Sequence, residues 1–420
     1  MRALLFSSLL MIAPASAPAE SLTLAQALTQ AADHNPTVRQ ARASLAQARE
    51  KKLAAYAAFL PKLSFSAGQS QSGSYDPDQG QFTGGNSGTS LGLSSSINLF
   101  RGLGDLAALR QAEASLGSAE EDLRVSLATT AYTVRAAWAQ LLYAQQQVTL
   151  NAQTTKRRED NAALVQLRFD VGSENKGSLL QTQAQSVQAE ADTRSAARAA
   201  AAARRALARA LGSDDGSKLE TQGDFPSPAD VAEGDDAKLA ASLPAVTKAR
   251  LGLDSAQAAV GGADAAFLPS LNASAGLNRS GDEWLPQQGS WSTGLSLSWN
   301  LFNGFSDLAN RSSAKEALLA QEAALEDAQR GSVDDLAAAR DNLADALDQL
   351  KVRDAVLKAN ETRAEIARAQ YTQGLIGFQD WDQIESALIS AQQSSLNGRR
   401  DAALSGFAWQ KALSIGWEQP

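Results

Sequence analysis

One passage of this chain is written twice. Ser96–Ala107 reads SINLFRGLGDLA and Ser298–Ala309 reads SWNLFNGFSDLA, while AAFLPKLSFSAG at Ala57–Gly68 returns as AAFLPSLNASAG at Ala265–Gly276. Pro36, Val38, Ala41 and Arg42 recur as Pro244, Val246, Ala249 and Arg250. Offsets of roughly 202 to 208 residues are too long for a solenoid repeat and mark the duplication of a whole structural unit.

Each unit holds a pair of alternating segments. In Ser90–Phe100, Leu91, Leu93, Ile97 and Leu99 alternate with Ser90, Gly92, Ser94, Ser96 and Asn98. In Trp291–Phe302, Trp291, Thr293, Leu295, Leu297, Trp299 and Leu301 alternate with small polar residues. Leu63–Ser72 and Leu271–Asn278 alternate more weakly. Period two with apolar against small polar residues predicts strands with one face in an apolar medium and the other in water. The glycine-rich stretches SYDPDQGQFTGGNSG and SGDEWLPQQGS read as solvent loops between them. The edge of a soluble sandwich would alternate in the same way. Three features favour a membrane sheet: the strands are too few for two packed layers, each is about ten residues long, and Trp284, Trp291, Trp299 and Phe302 sit near strand ends where interfacial aromatics belong. So few strands close no barrel, and open edges in lipid leave backbone groups unpaired, so other copies of the chain must complete it.

The long segments are helical. Asp105–Asp170 and the 307–373 stretch contain no proline and a single glycine each, Gly117 and Gly331. Roughly 66 residues at ~1.5 Å each make a helix about 100 Å long, the reach of a structure that crosses a cellular compartment. Gly102 and Gly304 are the expected strand-to-helix hinges, and Asp105 and Asp307 open the helices, where negative charge suits the dipole. Return helices are expected at 178–211 and 380–415, each stacked end to end with a shorter helix of the other unit, 244–265 and 36–58 respectively. The acidic, breaker-rich stretch 212–243 reads as an irregular equatorial belt. The whole is an α+β membrane protein, with hairpins at 63–100 and 270–302, a first repeat at 20–211, a second at 244–415 and a tail at 416–420. Alanine supplies much of the 44% hydrophobic content, and aromatics only 6%, which favours close-packed long helices over a thick core.

At the start, Met1-Arg2, an apolar run to Ala13 and Ala17-Pro18-Ala19 read as a signal peptide, 1–19, cleaved before Glu20. With no cysteine there are no disulfides, no thiolate chemistry and no lipidated cysteine. A net charge of −8 argues against nucleic acid as a partner. The single histidine, His34, leaves too few residues for a histidine-based triad or zinc cluster, and no phosphate-binding glycine loop is present. Neither enzyme chemistry nor a cofactor is indicated.

SLTLAQALTQAADHNP near the start, the two AFLP and two NLFxG passages, and YTQGLIGFQDWDQIESAL together resemble the TolC-like outer-membrane efflux proteins, across essentially the whole chain after the signal peptide. The resemblance implies a homotrimer in the bacterial outer membrane with a twelve-stranded barrel and a periplasmic helical extension. It also implies a periplasmic adaptor (membrane fusion) protein and an inner-membrane transporter as partners. Gly172 and Gly374 would end the long helices, and Tyr371 and Asp380 would line the periplasmic constriction. The family's third constriction position is Gln383 here, with Asp382 beside it. Repeated threefold, such aspartates make a ring that favours cations. Asp380 also reads as an N-cap, a compatible role. The chain departs from the pattern at Ile376, where some relatives carry a latching arginine, and at Ser178, where an aspartate is expected. Closure then rests on Tyr371 packing and other polar contacts. Two functional classes stay open: a passive duct for a tripartite pump or type I secretion system, and a non-conducting coiled-coil envelope protein. The cargo, whether drug, metal ion or polypeptide, is also open.

Overall fold

The computed structural model describes residues 20–416 apart from 214, 215, 217, 229, 230, 232, 233 and 285. The expected signal peptide and the end of the tail lie outside these residues. In chain order the elements are β1 (Glu20–Leu22), α1 (Leu24–His34), α2 (Pro36–Tyr56), β2 (Lys62–Asp76), β3 (Gln81–Arg101), α3 (Gly104–Asp170) and α4 (Lys176–Leu211). They continue with β4 (Leu219–Thr221), α5 (Asp236–Ala240), α6 (Pro244–Asp264), β5 (Ser270–Gly281), β6 (Gln288–Ser298), α7 (Ser306–Thr372) and α8 (Phe378–Ala412). Among the described residues no helix is long and apolar enough to cross a membrane.

The chain divides into two compact units. The first comprises 1–39, 127–233 and 337–420, and the second comprises 40–126 and 234–336. Chain duplication is visible in α3 and α7, unbroken helices of 67 residues each.

In the second unit the strands form one antiparallel sheet, ordered β2-β3-β5-β6. Its register puts Phe65, Leu93, Leu277 and Trp291 in one cross-strand row and Leu63, Ser95, Ala275 and Thr293 in the next. Ile97, Ala273 and Leu295 follow on the same face. The opposite face carries Ser64, Ser94, Gly276 and Ser292, with Ser64 and Ser94 hydroxyls 2.7 Å apart. The alternation in the sequence is thus the two faces of one sheet. Within the chain, β2 and β6 are open edges.

Two strand boundaries differ from the sequence reading. The first loop shrinks to a four-residue turn at 77–80, because cross-strand pairing continues outward to Asp76 and Gln81. Gly80 at φ 64° turns the chain, and the Tyr75 and Phe82 rings meet at 5.1 Å. The first hairpin therefore has strands of 15 and 21 residues, while β5 and β6 keep 12 and 11. Conversely, β6 stops at Ser298, leaving Trp299–Phe302 outside the sheet. Asn98–Arg101 remain in β3 because β5 supplies Asn272, Leu271 and Ser270 opposite them. Ser298 already faces Ser270, the first residue of β5, so β6 has no partner beyond it.

The expected irregular belt is partly ordered. Leu219–Thr221 pairs in parallel with Glu20–Leu22, and α5 forms within the same acidic stretch. Trp138 Nε1 donates to Leu22 O at 3.1 Å, fixing β1 over a core of Val134, Trp138, Leu141, Leu207, Leu211 and Phe407.

Both strand-to-helix hinges use two consecutive left-handed residues. Gly102 and Leu103 have φ of 60° and 67°, and Gly304 and Phe305 have 58° and 67°. The glycines were expected; the bulky second residues were not, because side chains disfavour this region by roughly 1–2 kcal/mol. The hinges differ in their surroundings. A Cβ on Gly102 would lie 2.4 Å from the Ala265 carbonyl oxygen, whereas one on Gly304 would meet nothing within 4 Å. Ala265 O accepts from Leu268 N at 3.1 Å, so it cannot yield freely. Asp105 and Asp307 are each the second residue of their helices, and Asp105 accepts from Arg101 Nη1 at 3.3 Å. Gly304→Ala is expected to cost about 1 kcal/mol from backbone strain alone, and Gly102→Ala at least twice that. Melting followed by circular dichroism in detergent checks this; equal losses would refute the steric difference.

Candidate functional site

The chemistry gathers where the long helices turn, all within the first unit. Both turns close in one way. Gly172 and Gly374 both sit at φ 76°. At α3, Gly172 N donates to Phe169 O at 2.9 Å and Ser173 N to Arg168 O at 2.9 Å; at α7, Gly374 N donates to Tyr371 O at 3.0 Å and Leu375 N to Gln370 O at 2.9 Å. These are paired Schellman closures, which need a left-handed residue that glycine adopts freely. Asn175 caps α4, its side chain accepting from Ser178 N at 3.0 Å. Gly377 is the N-cap of α8. Asp380 is therefore not the cap but a first-turn residue, where its charge still suits the helix dipole.

An aromatic clamp joins the two turns. Tyr371 and Trp381 are buried at 0% and 1% exposure and stack at 4.3 Å with planes 6° apart. Phe378 meets Trp381 nearly edge-on at 6.3 Å, and Val165 and Leu179 complete the cluster. The Tyr371 hydroxyl donates to Glu174 Oε2 at 2.9 Å. The Arg168 guanidinium lies 4.6 Å from the Tyr371 ring centre, and its Nη1 donates to Tyr371 O at 2.7 Å. Burial, then the hydrogen bond and charge of Glu174, push the phenol well above its usual range, with Arg168 opposing. Tyr371 is thus a neutral donor inside the chain, and its side chain does not line an open surface as the sequence reading had it.

Above the clamp lies a charged layer. Asp382 accepts from Arg158 Nη1 at 3.1 Å, Gln181 Nε2 at 2.9 Å and Gln185 Nε2 at 3.0 Å. Arg158 also donates to Gln185 Oε1 and Ser386 Oγ, both at 2.9 Å. Glu385, at 0% exposure, accepts from Arg157 Nη1 at 3.4 Å. These contacts tie α3, α4 and α8 together through buried, mutually compensated charge. Asp382 is accordingly neutralised within the chain, which removes it as a free member of an acidic ring. Asp380 and Gln383 are exposed, and no ion pair joins Asp380 to any described residue.

Glu174 escaped the sequence reading, which looked for an aspartate at Ser178; the signal was present, since Glu174 is the only carboxylate between Gly172 and Asn175. Arg157, Arg158 and Glu385 left no such trace, because their ion-pair partners are more than two hundred residues distant in sequence. In the second unit, Trp291 is exposed on the apolar sheet face, Trp299 Nε1 donates to Phe267 O at 3.1 Å, and Phe302 meets Phe305 edge-on at 5.2 Å. Among the described residues no group of acidic or histidine side chains is arranged to hold a metal ion.

The family profile described as outer membrane efflux protein matches residues 27–213 and 237–412. No curated protein matches the sequence significantly. The fold superimposes on that of CusC, described in terms of folding and transmembrane channel formation, with a TM-score of 0.83 at 21% identity, covering 93% of this chain and 91% of the other. VceC, an outer membrane protein of Vibrio cholerae, gives a TM-score of 0.80 at 20% identity, covering 94% and 97%. The open state of the MtrE outer membrane channel of Neisseria gonorrhoeae gives 0.78 at 21%, covering 94% and 90%. The likeness is one of fold, in which long helices accompany an antiparallel β-sheet.

The clamp predicts a ranking. Tyr371→Phe should cost about 0.5–1.5 kcal/mol, because half-buried Glu174 regains water, whereas Trp381→Ala should cost about 3–5 kcal/mol. The folded-state pKa of Tyr371 is raised, so its contribution is full below the ordinary phenol value of 10.0 and is lost as pH rises above it. Melting curves between neutral and strongly alkaline pH should fall less steeply for Tyr371→Phe than for wild type. Parallel curves would overturn the assignment.

Proposed function

Because the chain belongs to the outer membrane efflux protein family, we propose that it forms a homotrimeric outer-membrane channel giving passive exit to substrates delivered by an inner-membrane transporter and a periplasmic adaptor. One observation carries the reading: a single four-stranded sheet with one apolar face, one small polar face and two open edges. In hydrocarbon every unpaired backbone N–H and C=O costs several kcal/mol, so β2 of one copy must meet β6 of the next until the sheet closes. Three copies give a twelve-stranded barrel, lipid outside and water within. Trp291 lies towards one border of the apolar band, and Trp299 and Phe302 towards the other, as interfacial aromatics do. Gly102 and Gly304, with Asp105 and Asp307 just beyond them, convert membrane strand into periplasmic helix.

At the far ends of the long helices, the Tyr371–Glu174 clamp holds the turn at Gly374 against the turn at Gly172. Asp380 supplies the free charge of the mouth, with Gln383 as its polar neighbour. Threefold repetition concentrates that charge and favours cations. Asp382 acts differently, holding Arg158 in place. The protein itself does no catalysis in this reading, and the transporter supplies the energy.

In planar bilayers the purified protein should show cation-selective conductance blocked by trivalent cations. Asp380→Asn should weaken that block about tenfold. Asp382→Asn should leave the block within about twofold while lowering thermal stability. A wild-type protein that never conducts would overturn the channel in favour of a structural envelope protein. Conductance with unaltered block in Asp380→Asn would remove the acidic mouth alone.

A further inference from the structure

Following the apolar face outward from the helices, the cross-strand rows end abruptly in a cation. Above the row of Phe65, Leu93, Leu277 and Trp291 comes the row of Ala67, Leu91, Arg279 and Gly289, and above that Gln69, Thr89 and Gly281. Arg279 thus stands on the apolar side of the sheet, at the border between the apolar band and the polar rows that lead to the hairpin tips. Its side chain is exposed, and no ion pair or hydrogen bond joins the guanidinium to any described residue. Asp282 and Glu283 follow closely in the tip loop, yet neither pairs with it. The stem lies over Gly289, where a Cβ would be 3.9 Å from Arg279 Cγ.

Beneath it the surface is hollow. The small residues Ser95, Ala275 and Thr293 lie between bulkier rows, leaving an apolar groove of about 370 Å³ walled by Leu63, Leu93, Leu277 and Trp291. A second hollow of about 400 Å³ runs from Trp291 and Phe65 up to Arg279 itself. β5 is an inner strand, so neighbouring copies adding at β2 and β6 leave this face uncovered.

We infer that Arg279 and the grooves beneath it form a binding site for a phosphorylated lipid of the outer leaflet, the guanidinium holding the headgroup phosphate and the grooves seating an acyl chain. This rests on the reading of the sheet as a membrane barrel whose hairpin tips face outward. Charge complementarity selects the occupant. An unpaired guanidinium facing lipid at the border of an apolar band meets one abundant anion there, the lipid phosphate, whose oxygens match its planar donor fork. The apolar hollow directly below distinguishes a lipid from a free anion, which would leave it empty.

Native mass spectrometry of the detergent-extracted assembly tests the site, with bisphosphorylated lipid A, its dephosphorylated form and inorganic phosphate as probes. Wild type should retain lipid A about tenfold better than Arg279→Gln, with Arg279→Lys between them. The dephosphorylated lipid should not distinguish the variants, and inorganic phosphate should not displace lipid A. Equal retention by wild type and Arg279→Gln, or displacement by inorganic phosphate, would overturn the inference. Bilayer conductance of the same preparations separates the two readings. A conducting pair with equal retention removes the lipid site alone, and a wild type that does not conduct removes the barrel and the lipid site with it.

Discussion

Everything in this protein follows from a sheet that cannot be finished by one chain. Four strands with a largely apolar face and two unpaired edges have no stable place in water or in lipid as they stand. In water the apolar rows stay exposed; in lipid the edges do. In the proposed channel, association with further copies would remove both costs together, since edge pairing would close the ring and turn every polar face inward. Duplication makes this simple. Each sequence repeat contributes one hairpin, and the register between β3 and β5 joins the two hairpins into one surface.

The helices inherit their direction from that sheet. Each long helix leaves its hinge through two left-handed residues, and the second of these is leucine or phenylalanine, not glycine. Strain of this kind persists only where the surroundings determine it. At Gly102 the close approach of the Ala265 carbonyl does so, placing the end of β3 directly against the turn that leads into β5. At the other end of the helices, stability comes from a few specific contacts instead of a thick core. Tyr371 and Trp381 stack there, and the layer around Arg158 and Asp382 adds directional contacts that alanine-rich faces lack. Buried charge contributes little net stability, but losing one partner would be costly, so such a layer enforces helix register.

Sorting the aspartates of the α8 start is the most consequential result of the packing. Asp380 and Asp382 are two residues apart and read alike in sequence. On a helix that spacing turns them to different faces. One meets water; the other meets Arg158 and two glutamines. Only the first is left with free charge.

What the sequence determined by itself is everything governed by local periodicity: alternating strands, proline-free helices, and glycines where the chain must enter the left-handed region. Period two and long uninterrupted helix-forming runs are short-range signals, and duplication wrote each of them twice. Tertiary structure decided the rest. The first hairpin lengthened through a glycine-rich stretch because pairing continued across it, and β6 ended early because its only neighbour did. β1 found β4 nearly two hundred residues away, Tyr371 turned inward to Glu174, and Asp382 was claimed by Arg158. Each of these depends on which distant group lies opposite, a quantity that local pattern does not contain and that only the packed chain supplies.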